Sequence, residues 1–91
     1  MGSGGVPSGG VVITNARSLD KRGKSNSRVD RYKNGVKVQS RWYDAHGRAL
    51  RDRDYVHGGN VTFPHDHVWD WSSGVGIRGN EHLAPNYIHY L

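Results

Sequence analysis

The residues best suited to chemistry in this chain are concentrated between positions 51 and 71. This stretch contains His57, His65 and His67, together with Asp52 and Asp54. His65 and His67 are two residues apart, so in an extended strand their side chains point to the same side. An imidazole exchanges protons near neutral pH, and a pair of imidazoles can therefore divide the roles of general base and general acid.

One chemistry for such a set is metal-free cleavage of RNA. One imidazole would take the proton of the ribose 2′-hydroxyl, a second would protonate the leaving 5′-oxygen, and a guanidinium would stabilise the phosphorane. A carboxylate would fix the tautomer of an imidazole. The candidate catalytic residues are His57, His65, His67, Asp52 and Asp54. The candidate substrate-binding residues are Arg48, Arg51, Arg53, Tyr55, Trp69 and Trp71, the tryptophans as platforms for bases.

Two other functions fit the same residues. His57, His65, His67 and Asp66 could form a shell for zinc or another divalent metal ion, which would make the protein a metal-dependent nuclease. The H-x-H spacing is short, however, and also arises by chance. Alternatively, the arginines and tryptophans could bind nucleic acid or a protein partner without any catalysis.

Several of these residues also have a purely structural interpretation. Trp69 and Trp71 would fill the core of a domain that has one Phe and one Met. Arg48 could pair with Asp44 across a turn. The remaining histidines lie outside the dense stretch, and no site role is assigned to His46, His82 or His89.

The charge distribution favours a polyanionic partner. Residues 17–53 carry twelve Lys or Arg and four Asp, whereas residues 54–91 carry one Arg and four acidic residues. Such a cationic segment attracts phosphates through direct contacts and counterion release, so nucleic acid is the expected partner, and the candidate cleavage chemistry makes RNA the expected kind. Without cysteine, the 91-residue chain has neither disulfides nor thiolate metal sites.

Turn signals and alternating residues predict a mainly β fold, with α+β as the alternative. Strands are expected over 28–33 and 36–43, joined by a type I′ turn at Asn34-Gly35. A second turn over 44–47 leads to a strand over 48–57, and residues 61–71 could form a fourth, with Pro64 at an edge or bulge. The expected fold is thus a small antiparallel β-meander of three to four strands.

The two ends of the chain are less regular. Residues 1–27 are predicted to be a flexible Gly/Ser-rich and basic arm with a short strand over 11–14, and residues 28–91 to form a single domain. The C-terminal segment is expected to be irregular or briefly helical, with a short helix starting at 80–83 and residues 85–91 docked on the sheet. No apolar run suggests a signal peptide or a membrane anchor.

Three consecutive motifs in residues 41–71 resemble those of a known family. They are R-W-Y-D-A-H-G-R over 41–48, D-x-D-Y-x-H over 52–57 and F-P-H-x-H-x-W over 63–69. Together they are similar to the C-terminal toxin domains of bacterial polymorphic toxins, including those of contact-dependent inhibition and Rhs proteins. The resemblance covers about a third of the chain. A Gly/Ser-rich segment before the domain fits its detachment from a large carrier protein.

The resemblance implies a function and a setting. It implies a secreted effector domain, delivered as the C-terminal part of a larger protein, that acts in the target-cell cytoplasm as a nuclease, often a metal-independent endoribonuclease. It also implies neutralisation by a cognate immunity protein, which we expect to be acidic. His57, His65 and His67, with Asp52 or Asp54, become the residues to test. The chain lacks the His-Asn-His spacing of a ββα-metal nuclease.

Overall fold

The computed structural model of the chain describes residues 6–57 and 60–83, and describes side chains for 6–55 and 64–82. The described part contains seven β-strands and no helix. The strands are β1 (Val11–Thr14), β2 (Arg28–Lys33), β3 (Val36–Tyr43), β4 (Ala49–His57), β5 (Asn60–Asp70), β6 (Ile77–Arg78) and β7 (His82–Leu83). The prediction of a mainly β fold is confirmed.

Strands β2 to β5 form the predicted antiparallel meander. Asn34 and Gly35 join β2 to β3 with φ values of 52° and 79°, as a type I′ turn requires. The second turn is closed by a hydrogen bond from the Gly47 amide to the Asp44 carbonyl at 3.0 Å. Local turn chemistry therefore sets the order of the four central strands.

The outer strands complete a mixed sheet in the order β1-β2-β3-β4-β5-β6, with β7 also paired to β5. Strand β1 covers the residues for which a short strand was expected, and it runs parallel to β2. The short helix expected from Asn80 is not formed, because His82 and Leu83 extend alongside β5 and pair with Asp66 and His65. The predicted docking of residues 85–91 lies outside the described residues. No helix that could span a membrane occurs in the described ranges.

Residues 17–27, predicted as part of a flexible arm, are hydrogen-bonded to the sheet and its turns. The Ala49 amide donates to the Lys21 carbonyl and the Gly23 amide to the Gly47 carbonyl, both at 2.8 Å. The Tyr43 hydroxyl donates to the carbonyl of Asp20 at 2.6 Å, and burial raises the pKa of that hydroxyl. Such backbone contacts are independent of side-chain type, so the polar composition of the segment gave no sign of them.

Within residues 6–55 and 64–82, more polar than apolar side chains are buried. Among the described side chains, the buried apolar ones are Val38, Tyr43, Ala49 and Pro64. The buried polar ones are Ser27, Asp30, Ser40, Arg41, Asp52 and Asp66. A buried charge is tolerated only when it is paired and hydrogen-bonded, and the buried aspartates are paired with Arg28, Arg41 and Arg53.

The register between β4 and β5 shifts between Asp54 and Val56. Asp54 pairs with His65 and Val56 pairs with Val61, so β5 contains two extra residues in this interval. Pro64 lies within it, as predicted for a residue that cannot donate to a ladder. Beyond the irregularity, His65 and His67 lie in regular register with β4.

Two glycine substitutions measure how strongly the 17–27 segment is docked. Gly35 and Gly47 both have positive φ, but only a Cβ at Gly47 would collide with the backbone oxygen of Gly23. We expect Gly35→Ala to lower the free energy of unfolding by about 1 kcal/mol and Gly47→Ala by a further ~1–3 kcal/mol. Urea unfolding of both variants checks this, and equal losses would show that the segment does not rest on the turn.

Candidate functional site

Strand pairing places the candidate acids and bases on one face of the sheet. Residues directly opposite each other in an antiparallel pair share a face. Asp52 is opposite His67 and Asp54 is opposite His65. On the other side of β4, the same two aspartates pair with residues of β3. We call this surface the histidine face, and its members are Gln39, Arg41, Asp52, Asp54, His65 and His67.

His67 is held in one orientation by the backbone. Its Nδ1 lies 2.8 Å from the carbonyl oxygen of Gly79, and a carbonyl only accepts, so Nδ1 carries the hydrogen. The Gly79 amide in turn donates to the Val68 carbonyl at 2.9 Å. Nε2 of His67 lies 3.4 Å from Oδ2 of Asp54. Nε2, the ring nitrogen left to exchange a proton, therefore lies beside the carboxylate of Asp54.

His65 is the more open of the two imidazoles. Its side chain is 28% exposed, against 12% for His67, and its Nδ1 lies 3.8 Å from a carboxylate oxygen of Glu81. Two imidazoles with different access to solvent lie on the same strand face. The third candidate, His57, pairs through its backbone with Asn60 at the end of β4, and its side chain lies outside the described ones.

Asp52 is the buried centre of the histidine face. Its side chain is fully buried and accepts two hydrogen bonds from Arg41, at 2.6 and 2.8 Å. It also accepts bonds from Arg78 Nε at 2.9 Å and Gln39 Nε2 at 3.4 Å. Four hydrogen bonds from three side chains thus converge on this carboxylate. Asp52 was a candidate catalytic residue, and its contacts make it an anchor for two arginines.

The buried guanidinium of Arg41 is stabilised by this pairing. Burial acts to lower the pKa of Arg41, but the hydrogen bonds and negative charge of Asp52 outweigh that effect and raise it above the usual arginine value. Its Nη1 donates to the carbonyls of Leu19 and Asp20 at 2.8 and 3.1 Å. Arg41 thereby connects the 17–27 segment to Asp52 on the histidine face.

Asp54 connects the histidine with an arginine. Its Oδ2 accepts a hydrogen bond from Nη2 of Arg78 at 2.8 Å and faces Nε2 of His67. Its side chain is 27% exposed. Arg78 thus bridges Asp52 and Asp54, and the carboxylate of Asp54 can stabilise an imidazolium at His67 once the ring has taken a proton.

A groove of about 390 Å³ opens beside these residues. Four arginines, one glutamine and one aspartate are among the residues that line it: Arg17, Arg31, Gln39, Arg41, Asp54 and Arg78. Arg31 donates from Nε to the side-chain oxygen of Gln39 at 3.1 Å, a neutral partner that leaves its charge uncompensated. The groove is therefore cationic and reaches the carboxylate that faces His67.

The expected substrate-binding arginines of β4 lie on the opposite surface, which we call the Trp42 face. Arg51 pairs with Trp42 across the strands, and its guanidinium carbon lies 4.2 Å from the centre of the Trp42 ring. Arg53 makes two hydrogen bonds, at 2.8 and 3.0 Å, to buried Asp66. The structure thus separates Arg51 and Arg53 from His65 and His67, because odd and even residues of one strand point to opposite sides.

The other proposed substrate contacts have structural partners. Tyr55, also on the Trp42 face, has its hydroxyl 3.1 Å from Ser40 Oγ. Arg48 donates to Asp44 at 3.1 Å, as the structural interpretation anticipated. The indole N–H of Trp71 donates to the Ala49 carbonyl at 2.7 Å, with Arg22 and Arg48 over the ring. Trp69 is covered by Lys21 and Arg41 and lines the groove.

The proposed metal shell is not gathered on one face. Asp66 lies on the Trp42 face in contact with Arg53, whereas His65 and His67 lie on the other side of β5. Within the part of the chain that the structure describes, no three or more His, Asp or Glu side chains are grouped to hold a metal ion. A shell that includes His57 remains a prediction.

Sequence reasoning missed the arginines that do accompany the histidines. Alternation in β3 puts Gln39 and Arg41 on one face, but it is the register with β4 in the structure that places them beside Asp54 and Asp52. Arg78 gave no signal, since it reaches the site from a two-residue strand distant in sequence.

The chain matches no protein-family model, and neither the curated proteins nor the solved structures contain a significant match to it.

Proposed function

We propose that this protein is a metal-independent endoribonuclease in which His67 and His65 are the general base and general acid. The observation that carries the proposal is the fixed orientation of His67. Its Nδ1–H is anchored on the Gly79 carbonyl, and its Nε2 lies beside Asp54 at the margin of a groove lined by four arginines. Acid–base residues next to a phosphate-binding surface are what RNA cleavage by its own 2′-hydroxyl requires.

In the proposed reaction, Nε2 of His67 takes the proton of the ribose 2′-hydroxyl. The 2′-oxygen forms a bond to phosphorus, and the bond from phosphorus to the 5′-oxygen breaks. The imidazolium of His65 gives its proton to that departing oxygen. The products are a 2′,3′-cyclic phosphate and a 5′-hydroxyl, and the step consumes no water or redox partner.

The arginines supply the electrostatic part of the mechanism. A guanidinium has five N–H donors, and the carboxylates of Asp52 and Asp54 use two of those on Arg78. The remaining donors of Arg78, together with Arg31, can bind the phosphate and stabilise the charge that develops on the phosphorane. Asp52 and Asp54 hold Arg78 in place before substrate arrives, so little reorganisation accompanies the reaction.

We further propose that the ribonuclease is the toxin domain of a larger secreted effector and acts in the cytoplasm of a target cell. The motif resemblance over residues 41–71 and the basic charge of the chain support this setting. An acidic immunity protein that covers the groove would block the enzyme by occupying the surface that binds phosphate.

The reaction predicts a specific product. We expect the purified protein, in excess EDTA, to cut a DNA oligonucleotide containing one ribonucleotide only at the bond 3′ of that ribonucleotide, leaving a 2′,3′-cyclic phosphate. Mass spectrometry of the fragments measures this directly. The all-DNA oligonucleotide of the same sequence is the control and should stay intact. Cleavage of the control, or a 5′-phosphate on the product, would contradict the 2′-hydroxyl mechanism.

A further inference from the structure

A second hollow lies next to the groove, and of its lining residues the proposed reaction uses Arg31. Its volume is about 600 Å³, and it lies between the residues that follow β1 and the end of β2. Arg17, Arg31, Tyr32 and Lys33 line it, together with two asparagines and an alanine. The lining contains three cationic side chains and no carboxylate.

The two hollows are continuous in their lining. Arg17 and Arg31 border both the groove beside the histidine face and the second hollow. A chain of phosphates bound at the groove would therefore meet these two arginines as it leaves, and would next meet Lys33. We call this line of cationic side chains, Arg17, Arg31 and Lys33, the track. The proposed cleavage site lies at one end of it and Lys33 at the other.

The charge of this second hollow is uncompensated. Among the described side chains, Arg17, Arg31 and Lys33 form no ion pair with a carboxylate. The Trp42 face differs, because Arg28 is bound to Asp30 and Arg53 to Asp66. A polyanion gains more from cations that carry no carboxylate partner, since no existing ion pair must be broken.

We propose that the second hollow binds the RNA strand beyond the nucleotide that is cut, with Lys33 and Arg17 on phosphates and Tyr32 beside a base. The proposal rests on the proposed function and adds to it a substrate class, namely single-stranded RNA several nucleotides long. Tyr32 is half-buried and lines the hollow, so its ring can offer one face to a base, an interaction that tolerates any sequence. The enzyme should therefore bind long strands better than dinucleotides without strong base preference.

The test measures how the Kd of the protein for an RNA strand that cannot be cut changes with salt concentration. A fluorescent 2′-O-methyl RNA of about twelve nucleotides lacks the attacking hydroxyl, so binding is measured apart from cleavage. Lys33→Gln is expected to weaken binding and to reduce the slope of log Kd against log salt by about 1. Lys24→Gln is the matched control, because Lys24 is an exposed residue of the 17–27 segment and lines neither hollow.

Each outcome has a defined meaning. Loss of slope in Lys33→Gln but not in Lys24→Gln supports the track, whether or not the protein cleaves RNA. Equal slopes in Lys33→Gln and the wild type overturn it, even if cleavage of a short RNA proceeds normally. Failure of the wild-type protein to bind the strand overturns both the track and the ribonuclease. Circular dichroism verifies that each variant is folded.

Discussion

Asp52→Asn is expected to lower the free energy of unfolding by about 3–5 kcal/mol, because it removes one partner of a buried ion pair. Both carboxylate oxygens of Asp52 accept hydrogen bonds from Arg41. An asparagine would therefore turn its amide N–H₂ toward a guanidinium donor on one side. The side chain of Arg41 is 7% exposed, so its charge would be left in the interior without compensation. Urea denaturation of the two proteins gives the difference directly.

The expected loss is large compared with the unfolding free energy of a whole domain. Domains have unfolding free energies of about 5–15 kcal/mol, so this loss would leave a marginally folded protein. Asp20→Asn is the matched control, since Asp20 is exposed and accepts hydrogen bonds from Arg41 and Tyr43 through its backbone oxygen. That variant should stay close to the wild type. A loss below about 1 kcal/mol in Asp52→Asn, the value typical of surface pairs, would contradict the account of the buried centre.

His67→Asn is expected to reduce kcat for RNA cleavage by about 10²–10⁴-fold, the usual contribution of a general base. The amide nitrogen of asparagine can take the place of Nδ1 and keep the hydrogen bond to the Gly79 carbonyl. No atom of asparagine reaches the position of Nε2. The substitution therefore removes the proposed base while preserving the contact that holds the loop, and single-turnover cleavage of an RNA oligonucleotide measures the loss.

Two comparisons separate chemistry from structure in this experiment. His46→Asn changes an exposed histidine in the turn after β3 and should leave kcat unaltered. The affinity of His67→Asn for an uncleavable RNA should also match that of the wild type, because the groove arginines are intact. Full activity in His67→Asn would remove this residue from the mechanism, whatever the reactivity of His65.

Much of the fold was predictable because it depends on local rules. The Asn34-Gly35 turn and the alternation on either side of it determine β2 and β3 to the residue. The parallel pairing of β1 and the docking of residues 17–27 were not predictable in this way. Both rest on backbone hydrogen bonds between distant segments, and backbone groups carry no sequence information.

The candidate site was predictable in part for the same reason. Alternation along β5 correctly put His65 and His67 on one side, and the pairing with β4 added Asp52 and Asp54. It also implied that Arg51 and Arg53 point away from Asp52 and Asp54. Which residues of β4 share a face with His65 and His67 depends on the register between β4 and β5, and sequence does not reveal that register. Arg51 and Arg53 were therefore expected beside the histidines. Arg78 enters the site through the tertiary fold.

The polar interior links stability with the proposed activity. Asp52 holds Arg41 and Arg78 through buried hydrogen bonds, and the same two arginines line the groove. These buried ion pairs thus also fix cationic groups of the candidate site. We expect substitutions at this centre to impair folding and RNA binding together, whereas His67→Asn should affect catalysis alone.

The most direct test of the central claim is incubation of the purified protein with total RNA in excess EDTA, beside His67→Asn and a variant that combines His65→Ala with His67→Asn. The account predicts that the wild type degrades RNA fully in the presence of the chelator. It predicts that His67→Asn is at least about 100-fold slower and that the double variant is slower still or inactive. Abolition of wild-type cleavage by EDTA, or undiminished cleavage by the folded double variant, would contradict metal-independent catalysis by His65 and His67.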